Sequence, residues 1–406
     1  MGDGKMRFIQ VPSHRERIPG GKVGGRIILA DGTEPLWEYA GTVKCVYIDP
    51  PFNTGGSFVM RQKVGEKDWA GDKSSLTVPA YSDRNESRGA YHAFLRSLIY
   101  SAWTLLDERG VFFLHLDPRE SAWARILCDQ VFGEDHFVNE IIWSYQSGGR
   151  TTKRFPTKHD TILFYRKGRD MRFDLKAVPI KREDNRKNHM RRLVDENGRT
   201  YRTIVSGGKI YTYYDDDPVY PGDVWTDISH LQQKDPRRTG YDTQKPPALL
   251  ERVLLPVTLP GETVADLCCG SGSTGAAAAA LDRPFLMTDI SPLAVLTARR
   301  RLVDCDLTVD LPSVTDGGDL ECECGREGDS LTFTLKSYGK GGLDEADTWA
   351  VGEIRDGVFT VSALSRRTRK TPALAESLTM PASPYAAVEI TDVYGKRSVW
   401  AAESEK

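Results

Sequence analysis

Residues 263–275 read Thr-Val-Ala-Asp-Leu-Cys-Cys-Gly-Ser-Gly-Ser-Thr-Gly, a short apolar strand that runs into a glycine turn. Glycines let the backbone approach a ligand closely, and a helix that begins at such a turn offers free amide groups. The alanine-rich run 274–281 predicts that helix, and residues 284–288 predict the next strand. This strand–turn–helix–strand order is typical of a doubly wound α/β fold with a nucleotide-like cofactor at the turn.

Acidic residues stand at the ends of both strands of this unit. Asp289 follows the turn by about 20 residues, a position from which a carboxylate accepts hydrogen bonds from ribose hydroxyls. Asp289 could instead cap the next helix, a role for which Ser291 competes. Asp266 is either a cofactor ligand or an ordinary carboxylate at a strand end. The glycine turn alone would also fit a dehydrogenase or a tight turn without a ligand.

A second strand, residues 43–48, ends in the tetrapeptide Asp49-Pro50-Pro51-Phe52, here named the amine clamp. Asp49 and the carbonyl of Pro50 can accept two N–H bonds from the exocyclic amine of adenine or cytosine. Two acceptors localise the amine lone pair and stabilise the positive charge that develops on nitrogen. Phe52 offers a stacking face, and a base in a duplex must be flipped out to reach it. The other interpretation is a proline turn with a capping aspartate.

Composition favours two or three domains with no membrane span. The 406 residues are 39% apolar and 28% charged, which is typical of a globular protein. No run of about 18 apolar residues is found, and the first residues lack an apolar signal core. The seven cysteines follow no disulfide framework. These features predict a cytoplasmic protein.

Charge is distributed unevenly although the net charge is only −2. Residues 150–240 hold 21 Lys or Arg against 13 Asp or Glu, whereas residues 310–406 hold 11 against 17. A polyanion is therefore expected to contact the basic middle, unless those charges only solvate an insert. The candidates for phosphate contacts are Lys153, Arg154, Arg191, Arg192, Arg237 and Arg238. Cys305, Cys322 and Cys324 have poor zinc spacing, and no metal site is predicted.

Hydrophobic periodicity and turn residues predict the other elements. Helices are expected at 34–39, 91–106 (ended by Gly110), 119–131, 246–255 and 292–302, and strands at 26–30, 111–116, 137–145 and 161–165. Residues 60–90 are expected to form a mobile loop, residues 166–240 to form a substrate-reading insert, and residues 330–400 to be rich in β-strands.

The motifs together resemble those of the β-class amino-methyltransferases of DNA. The clamp and its continuation Asn53-Thr54-Gly55 are followed by Thr243-Gln244-Lys245-Pro246 and then by Asp266 and the glycine turn. The resemblance covers about residues 25–302 and is closest to type III modification subunits and related adenine-specific enzymes. It implies a Rossmann-like, mostly parallel sheet with helices on both faces and a circularly permuted motif order.

The resemblance also assigns roles to individual residues. Asp49, Pro50, Pro51 and Phe52 would be catalytic. The pocket of the cofactor, S-adenosyl-L-methionine, would be lined by Asp31, Thr243, Gln244, Lys245, Asp266, Cys268, Gly270, Ser271, Gly272, Thr274 and Asp289. Asp266 would face the amino-acid part of the cofactor, and Asp31 could equally be a simple turn residue before Gly32.

The domain expectation follows from the same match. Residues 1–150 and 241–308 would form the two parts of the catalytic domain, residues 151–240 the target-recognition region, and residues 309–406 a small β-rich C-terminal domain. The chain departs from the family pattern at Leu267-Cys268-Cys269, where Pro-Phe usually follows the aspartate, and at Phe52, where tyrosine is commoner. It is also shorter than type III subunits, so no restriction subunit is required.

The expected function is transfer of a methyl group to the N6 amine of adenine at a specific site in double-stranded DNA, in a prokaryotic cell or a phage, as in restriction-modification. The alternative is methylation of the N4 amine of cytosine, although serine is commoner than Asp49 in cytosine enzymes. Methylation of RNA or of protein glutamine, a DNA-binding module without catalysis, and a nicotinamide oxidoreductase are the other classes. A homodimer and a restriction partner stay open.

Overall fold

The computed structural model describes residues 6–145, 151–180, 191–232, 235–241 and 243–404. The strands are β1 Met6–Gln10, β2 Arg15–Ile18, β3 Gly24–Leu29, β4 Val43–Ile48, β5 Ser57–Gln62, β6 Leu76–Ser82, β7 Leu106–Leu116, β8 Phe137–Ser144, β9 His159–Arg166, β10 Leu193–Val194, β11 Thr200–Ser206, β12 Lys209–Tyr214, β13 Val224–Trp225, β14 Val264–Asp266, β15 Phe285–Asp289, β16 Asp306–Asp310, β17 Leu320–Glu327, β18 Ser330–Tyr338, β19 Ala346–Arg355, β20 Val358–Arg366, β21 Ser377–Pro381, β22 Ala386–Asp392 and β23 Arg397–Ser404. The α-helices are α1 Gly65–Gly71, α2 Arg88–Leu105, α3 Pro118–Phe132, α4 Pro247–Leu254, α5 Ser273–Ala280 and α6 Pro292–Leu302.

One sheet of fifteen strands organises the chain, in the order β1-β23-β22-β19-β20-β2-β16-β3-β15-β14-β4-β7-β9-β8-β13. The six neighbouring strands from β16 to β7 all run parallel. Strand β4 lies inside this parallel block, and all six of its residues are buried. Its unbroken apolar run forms a central strand because both faces of such a sheet are covered.

Helices cover both faces of the parallel block. Cys45 and Tyr47 of β4 join the cluster formed with α4, α5 and α6, whereas Val46 and Ile48 join the cluster formed with α2 and α3. Successive side chains of a strand point to opposite faces, so each face receives every second residue. The predicted doubly wound, mostly parallel fold is therefore confirmed.

Three local expectations are wrong. Residues 60–90 are not a mobile loop, because β5, α1 and β6 form a hairpin unit in which Met60 and Ala80 pack against α6. Gly110 does not cap α2, because the chain passes from α2 directly into β7 at Leu106. In place of the helix expected at 34–39, the structure has only the 3₁₀ turn Trp37–Tyr39. This turn buries no residue, so packing against the core does not stabilise a longer helix.

The remaining strands lie in the insert and in the C-terminal region. Strands β10, β11 and β12 form a separate three-stranded sheet within the predicted recognition region. The C-terminal region is rich in strands, as predicted. Strands β19, β20, β22 and β23 extend the main sheet through the parallel β2–β20 pair. Strands β17, β18 and β21 form a separate small sheet, and Phe333 of β18 shares a buried apolar cluster with Trp349 of β19. Within the described ranges, no helix has the length and apolarity needed to cross a bilayer.

A buried cluster of charged side chains connects the C-terminal strands to α6. Arg299 donates from Nε to Oε2 of Glu16 at 2.5 Å, from Nη2 to Oε1 of Glu389 at 2.7 Å and from Nη1 to Oγ1 of Thr348 at 3.1 Å. Arg397 donates from Nε to the other oxygen of Glu389 at 2.7 Å. The four charged side chains are at most 1% exposed. Each buried charge therefore depends on its partners to offset the cost of leaving water.

Replacement of Arg299 by methionine tests this dependence. Two carboxylates would stay buried without their shared guanidinium, so the free energy of unfolding should fall by about 3–5 kcal/mol. Urea unfolding at neutral pH measures the change. The control is Arg326→Gln, at an exposed arginine of β17, which should leave the free energy of unfolding almost unchanged. A decrease for Arg299→Met no larger than that of the control would contradict the assigned role.

Candidate active site

Four of the acidic residues named above lie at the same edge of the sheet. Asp31 follows β3, Asp49 follows β4, Asp266 ends β14 and Asp289 ends β15. These strands are parallel neighbours, and β14 pairs directly with β4 and with β15. The carboxyl ends of parallel strands form the crevice in which doubly wound folds bind ligands. The register of β4 and β14 thus brings the amine clamp and the glycine turn together.

A buried carboxylate holds the turn that follows the clamp. Asp83 accepts hydrogen bonds from the backbone N–H of Asn53 at 2.6 Å, and from the N–H and the hydroxyl of Thr54 at 3.0 and 2.8 Å. Asn53 has φ of 55°, a left-handed conformation that needs such support. The Tyr91 hydroxyl donates to the Pro51 carbonyl at 2.8 Å. Sequence analysis misses Asp83 because it follows β6, inside the segment that is expected to be a loop.

Lys245 lies at the clamp. Its Nζ is 2.5 Å from Oδ2 of Asp49 and 5.3 Å from the centroid of the Phe52 ring. The other carboxylate oxygen, Oδ1 of Asp49, is buried and has no hydrogen-bond partner among the described residues. A buried acceptor without a partner is costly, and such atoms are concentrated where a ligand completes the bonding. The motif resemblance predicts Lys245 in the cofactor pocket, whereas the structure places it against the catalytic candidate.

The face of Phe52 is backed by a fixed imidazole ring. The rings of Phe52 and His115 stack with centroids 6.1 Å apart and planes 19° apart. One ring nitrogen of His115 shares a hydrogen bond with the Tyr47 hydroxyl at 2.7 Å, and the other lies 3.0 Å from Oδ2 of Asp160. Although burial opposes it, the hydrogen bond and charge of His115 hold the pKa of Asp160 below its usual value. Both ring nitrogens are thus engaged, which fixes the orientation of the imidazole behind Phe52.

The glycine turn wraps around two carboxylates. Asp266 accepts the Thr274 hydroxyl at 2.5 Å and the backbone N–H of Cys268 at 3.0 Å, and burial raises its pKa to about 7. Asp289 accepts the N–H groups of Gly270 and Ser291, both at 2.9 Å, and burial raises its pKa too. Ser291, not Asp289, is the N-cap of α6. The capping interpretation of Asp289 is therefore wrong, and its carboxylate faces the turn.

Glycine is required at the turn for steric reasons. Gly270 and Gly272 have φ of 48° and 73°. A Cβ on Gly272 would lie 2.8 Å from the Cβ of Ala298, which is too close, whereas Gly270 is required for its φ, since a Cβ there would lie at an ordinary contact distance of 3.4 Å from the ring of Tyr241. Ser271 is buried beside them. The turn therefore packs tightly against α6 on one side and against an aromatic ring on the other.

Aromatic rings that sequence analysis does not single out form a wall beside the turn. Tyr81 stacks on Tyr241 with centroids 6.2 Å apart, and Phe58 stacks on Tyr81 at 4.9 Å. The Tyr81 hydroxyl lies 3.5 Å from Oγ1 of Thr243, at the limit of a hydrogen bond. Gln244 turns instead toward the preceding loop, where its Oε1 accepts from the Thr239 N–H at 2.8 Å. Thr243 thus lies near the wall, and Gln244 supports the loop.

The remaining candidates are scattered. Asp31 is exposed and accepts from the N–H and hydroxyl of Thr33, which is the bonding of a turn residue. The six phosphate-contact candidates lie in three separate segments. Lys153, Arg154 and Arg191 are exposed, Arg192 pairs with Asp215, Arg237 pairs with Asp235, and Arg238 donates to the carbonyls of Leu231 and Tyr241. Within the described residues, no group of three or more His, Cys, Asp or Glu could hold a metal ion.

The parallel sheet, the glycine turn and the acceptors at one strand edge define an α/β fold that places two motifs at one crevice. Residues 43–300 match the N6_N4_Mtase family, which is described as DNA methylase. The chain belongs to this family of DNA methylases. The resemblance drawn from the motifs is thereby confirmed.

The individual relatives have low sequence identity to this chain. The type II methyltransferase M.EcaI of Enterobacter cloacae is 25% identical over 304 residues, which cover 64% of each chain. The DNA adenine methyltransferase YhdJ of Escherichia coli K12 is 24% identical over 65% of this chain and 77% of its own. The EcoPI Mod subunit of Escherichia phage P1, a type III restriction-modification enzyme, is 31% identical over 36% of this chain and 25% of its own. The chain thus spans less than two thirds of M.EcaI and a quarter of the EcoPI subunit.

Solved structures give a weaker similarity. The M1.HpyAVI–SAM complex is 16% identical, covers 68% of this chain and 98% of its own, and has a TM-score of 0.41. The PvuII DNA methyltransferase, described as cytosine-N4-specific, is 13% identical, covers 70% and 89%, and has a TM-score of 0.44. Both scores are low, so the placement in the family rests on the sequence match.

Replacement of Asp83 by alanine should loosen the clamp turn without unfolding the sheet. Two backbone N–H groups would lose their acceptor, which costs about 1–3 kcal/mol for each group that stays buried. We expect a lower free energy of unfolding in urea and faster hydrogen exchange at the amides of Asn53 and Thr54. Asp117→Asn is the matched control, at the end of β7, where asparagine retains the helix cap. Unchanged exchange at Asn53 and Thr54 would show that Asp83 does not hold the turn.

Proposed function

We propose that this chain transfers a methyl group from S-adenosyl-L-methionine to the N6 amine of adenine in a specific short sequence of double-stranded DNA. The observation that carries the proposal is the buried Oδ1 of Asp49, which has no hydrogen-bond partner among the described residues. This acceptor stands beside the rigid Pro50-Pro51 pair and the Phe52 ring, at the sheet edge that also holds the glycine turn. A hydrogen-bond acceptor in that setting fits a flat base that carries an amine.

The clamp residues would act by orientation and electrostatics. Oδ1 of Asp49 would accept one N–H of the amine, and the Pro50 carbonyl would accept the other. The Lys245 ammonium holds Oδ2, so the carboxylate cannot rotate away from the amine. Phe52, backed by His115, would stack on the base. Preorganised acceptors of this kind stabilise the positive charge that grows on nitrogen during the reaction.

The residues around the glycine turn fit the cofactor. S-adenosyl-L-methionine, when bound, supplies an electrophilic methyl group on a positively charged sulfur. Asp266 would pair with its ammonium group, and Asp289 retains lone pairs that can accept from ribose hydroxyls beside Gly270. The stacked Tyr81 and Tyr241 offer a flat wall for its purine ring. The cationic cofactor also suits a pocket whose buried groups are acidic.

Adenine is favoured over cytosine as the target base. An aspartate at position 49 is the form that the motif takes in adenine enzymes, whereas serine is commoner in cytosine enzymes. The relative YhdJ is named an adenine methyltransferase. Both motifs come from one chain, so the proposal requires neither a second copy nor a restriction subunit.

A methyl-transfer assay tests the proposal. Purified protein is incubated with methyl-labelled S-adenosyl-L-methionine and plasmid DNA of diverse sequence, and the digested nucleosides are separated. Label in N6-methyladenine is the expected result. Label only in N4-methylcytosine would replace the proposed base, and the absence of label with folded protein would overturn the proposed activity.

Asp49→Ala should reduce turnover by about a hundredfold or more, because one preorganised acceptor is removed. Binding of duplex DNA, measured by fluorescence anisotropy, should stay near the wild-type value. Asp117→Asn, at the end of the neighbouring strand β7, is the matched control and should retain turnover. A rate for Asp49→Ala close to that of the control would remove Asp49 from the mechanism.

Cofactor affinity should rise with pH. Burial raises the pKa of Asp266 from 3.8 to about 7, so the carboxyl is neutral below that pH and charged above it. The charged form attracts the cofactor ammonium, so the dissociation constant should fall as pH increases from about 6 to about 8, by at most tenfold per unit. Calorimetric titration measures it. Asp266→Asn should bind weakly with a flat pH dependence, and a flat wild-type curve would contradict the assignment.

A further inference from the structure

A second concave surface, separate from the clamp, lies between the catalytic domain and the C-terminal strands. This basic cleft has a volume of about 1560 Å³. Its walls are β5 and α1, residues 230–232 and 235–240, helix α6, and the segment 366–370, which begins at the last residue of β20. Among the residues that the structure describes, ten Lys or Arg side chains line it, against four Asp. None of the clamp residues lines it, so the methyl-transfer site does not account for this excess of positive charge.

Some of these positively charged side chains form ion pairs with carboxylates of the protein itself. Arg299 belongs to the buried cluster described above, Arg300 pairs with Asp347 at 3.0 Å, and Arg366 pairs with Asp304 at 2.9 Å. These pairs tie the cleft walls together and have a structural role.

Other charges are compensated only in part. Lys63 and Arg369, which come from opposite walls, share the single carboxylate of Asp72. Arg301 has no carboxylate within ion-pair distance in the described chain; it donates to the Ser273 hydroxyl at 3.0 Å, and burial lowers its pKa to about 10. Lys370 is exposed at the rim and makes no ion pair with a described residue. An anion in the cleft would balance these charges.

The dimensions favour a polymer over a small anion. Pockets for single small ligands measure about 300–1,000 Å³, and this cleft is larger. The indole of Trp69 lies in it between two cations, 4.7 Å from Nζ of Lys63 and 4.2 Å from the guanidinium carbon of Arg300. The cations are distributed over several walls, which suits successive phosphates along a backbone better than one phosphate group.

The cleft is connected to the active site by a short segment. Gly240 lines the cleft, and its carbonyl accepts the backbone N–H of Arg61 at 3.1 Å. The next residue, Tyr241, lies against the glycine turn, and Lys245 reaches Asp49 a few residues later. A nucleic-acid strand held in the cleft would therefore contact the same segment that carries Lys245 to the clamp.

We propose that the basic cleft binds the phosphate backbone of the substrate DNA, and that the exposed Arg369 and Lys370, in the C-terminal segment 366–370, are DNA contacts. This inference rests on the proposed function and extends it, since the distribution of charge along the sequence assigns DNA only to the basic middle. The C-terminal region is acidic as a whole, yet this segment carries Arg366, Arg367, Arg369 and Lys370 to the cleft.

The double variant Arg369→Gln/Lys370→Gln tests the proposal. Both side chains are exposed, and the Arg369 ion pair is exposed as well, so the fold should be retained. The matched control is Arg326→Gln/Lys336→Gln, which removes one Arg and one Lys from the small C-terminal sheet outside the cleft. Affinity for duplex DNA is measured by fluorescence anisotropy over a series of salt concentrations, and circular dichroism checks folding.

The cleft variant should bind DNA about tenfold more weakly than the control, equally for specific and unrelated sequences, because phosphate contacts carry no sequence information. The slope of log K against log salt should become shallower by about 0.9 for each phosphate that the variant no longer neutralises. Affinity and slope equal to those of the control would overturn the cleft proposal. Methyl transfer by the wild-type protein would still stand in that case, whereas absent methyl transfer with normal DNA binding would overturn the activity alone.

Discussion

The parallel pairing of β4 with β14 is the constraint on which the site depends. It aligns Val264 with Cys45 and Ala265 with Val46, although these residues lie far apart in the chain. Each strand then ends in a carboxylate, Asp49 on one and Asp266 on the other. Since parallel strands end at one edge, a slip in this register would move the amine clamp relative to the glycine turn. Alternate residues of β4 pack into two different close-packed clusters, one on each face of the sheet, and this packing opposes a slip in register.

The same geometry places several acidic side chains together at one edge of the sheet. Burial, together with the charges of Asp49, Asp266 and Asp160, raises the pKa of the Tyr47 phenol well above its usual value. Asp266 and Asp289 are both shifted toward the neutral form by burial. Lys245 is a cation beside them, paired with Asp49. A positively charged cofactor would relieve this repulsion, and that favours a sulfonium ligand over a neutral or anionic one.

Sequence reasoning succeeds where the determining contacts are local. Helix α6 is predicted with its observed ends, because Pro292 begins it and its apolar spacing is regular. The glycine turn is predicted equally well, because Gly270 and Gly272 adopt the positive φ angles that favour glycine. The hairpin of β5 and β6 is missed because Met60 packs in a cluster with Tyr241 and residues of α6, which no short window of sequence contains. Asp83 and the position of Lys245 against Asp49 are missed for the same reason.

The Arg299 cluster has a consequence for where this chain can be divided. Composition suggests a boundary near residue 308, after which the sequence turns acidic. Glu389 and Arg397 lie beyond that point. Glu389 and Glu16 both bind Arg299, and Arg397 binds Glu389. Arg299 lies on α6, the helix that packs against the glycine turn. A fragment that ended near residue 308 would leave Arg299 and Glu16 without Glu389, Arg397 and the C-terminal strands that carry them. The C-terminal strands thus continue the main sheet and supply buried charge partners to α6, so a division of the chain near residue 308 would separate Arg299 from Glu389.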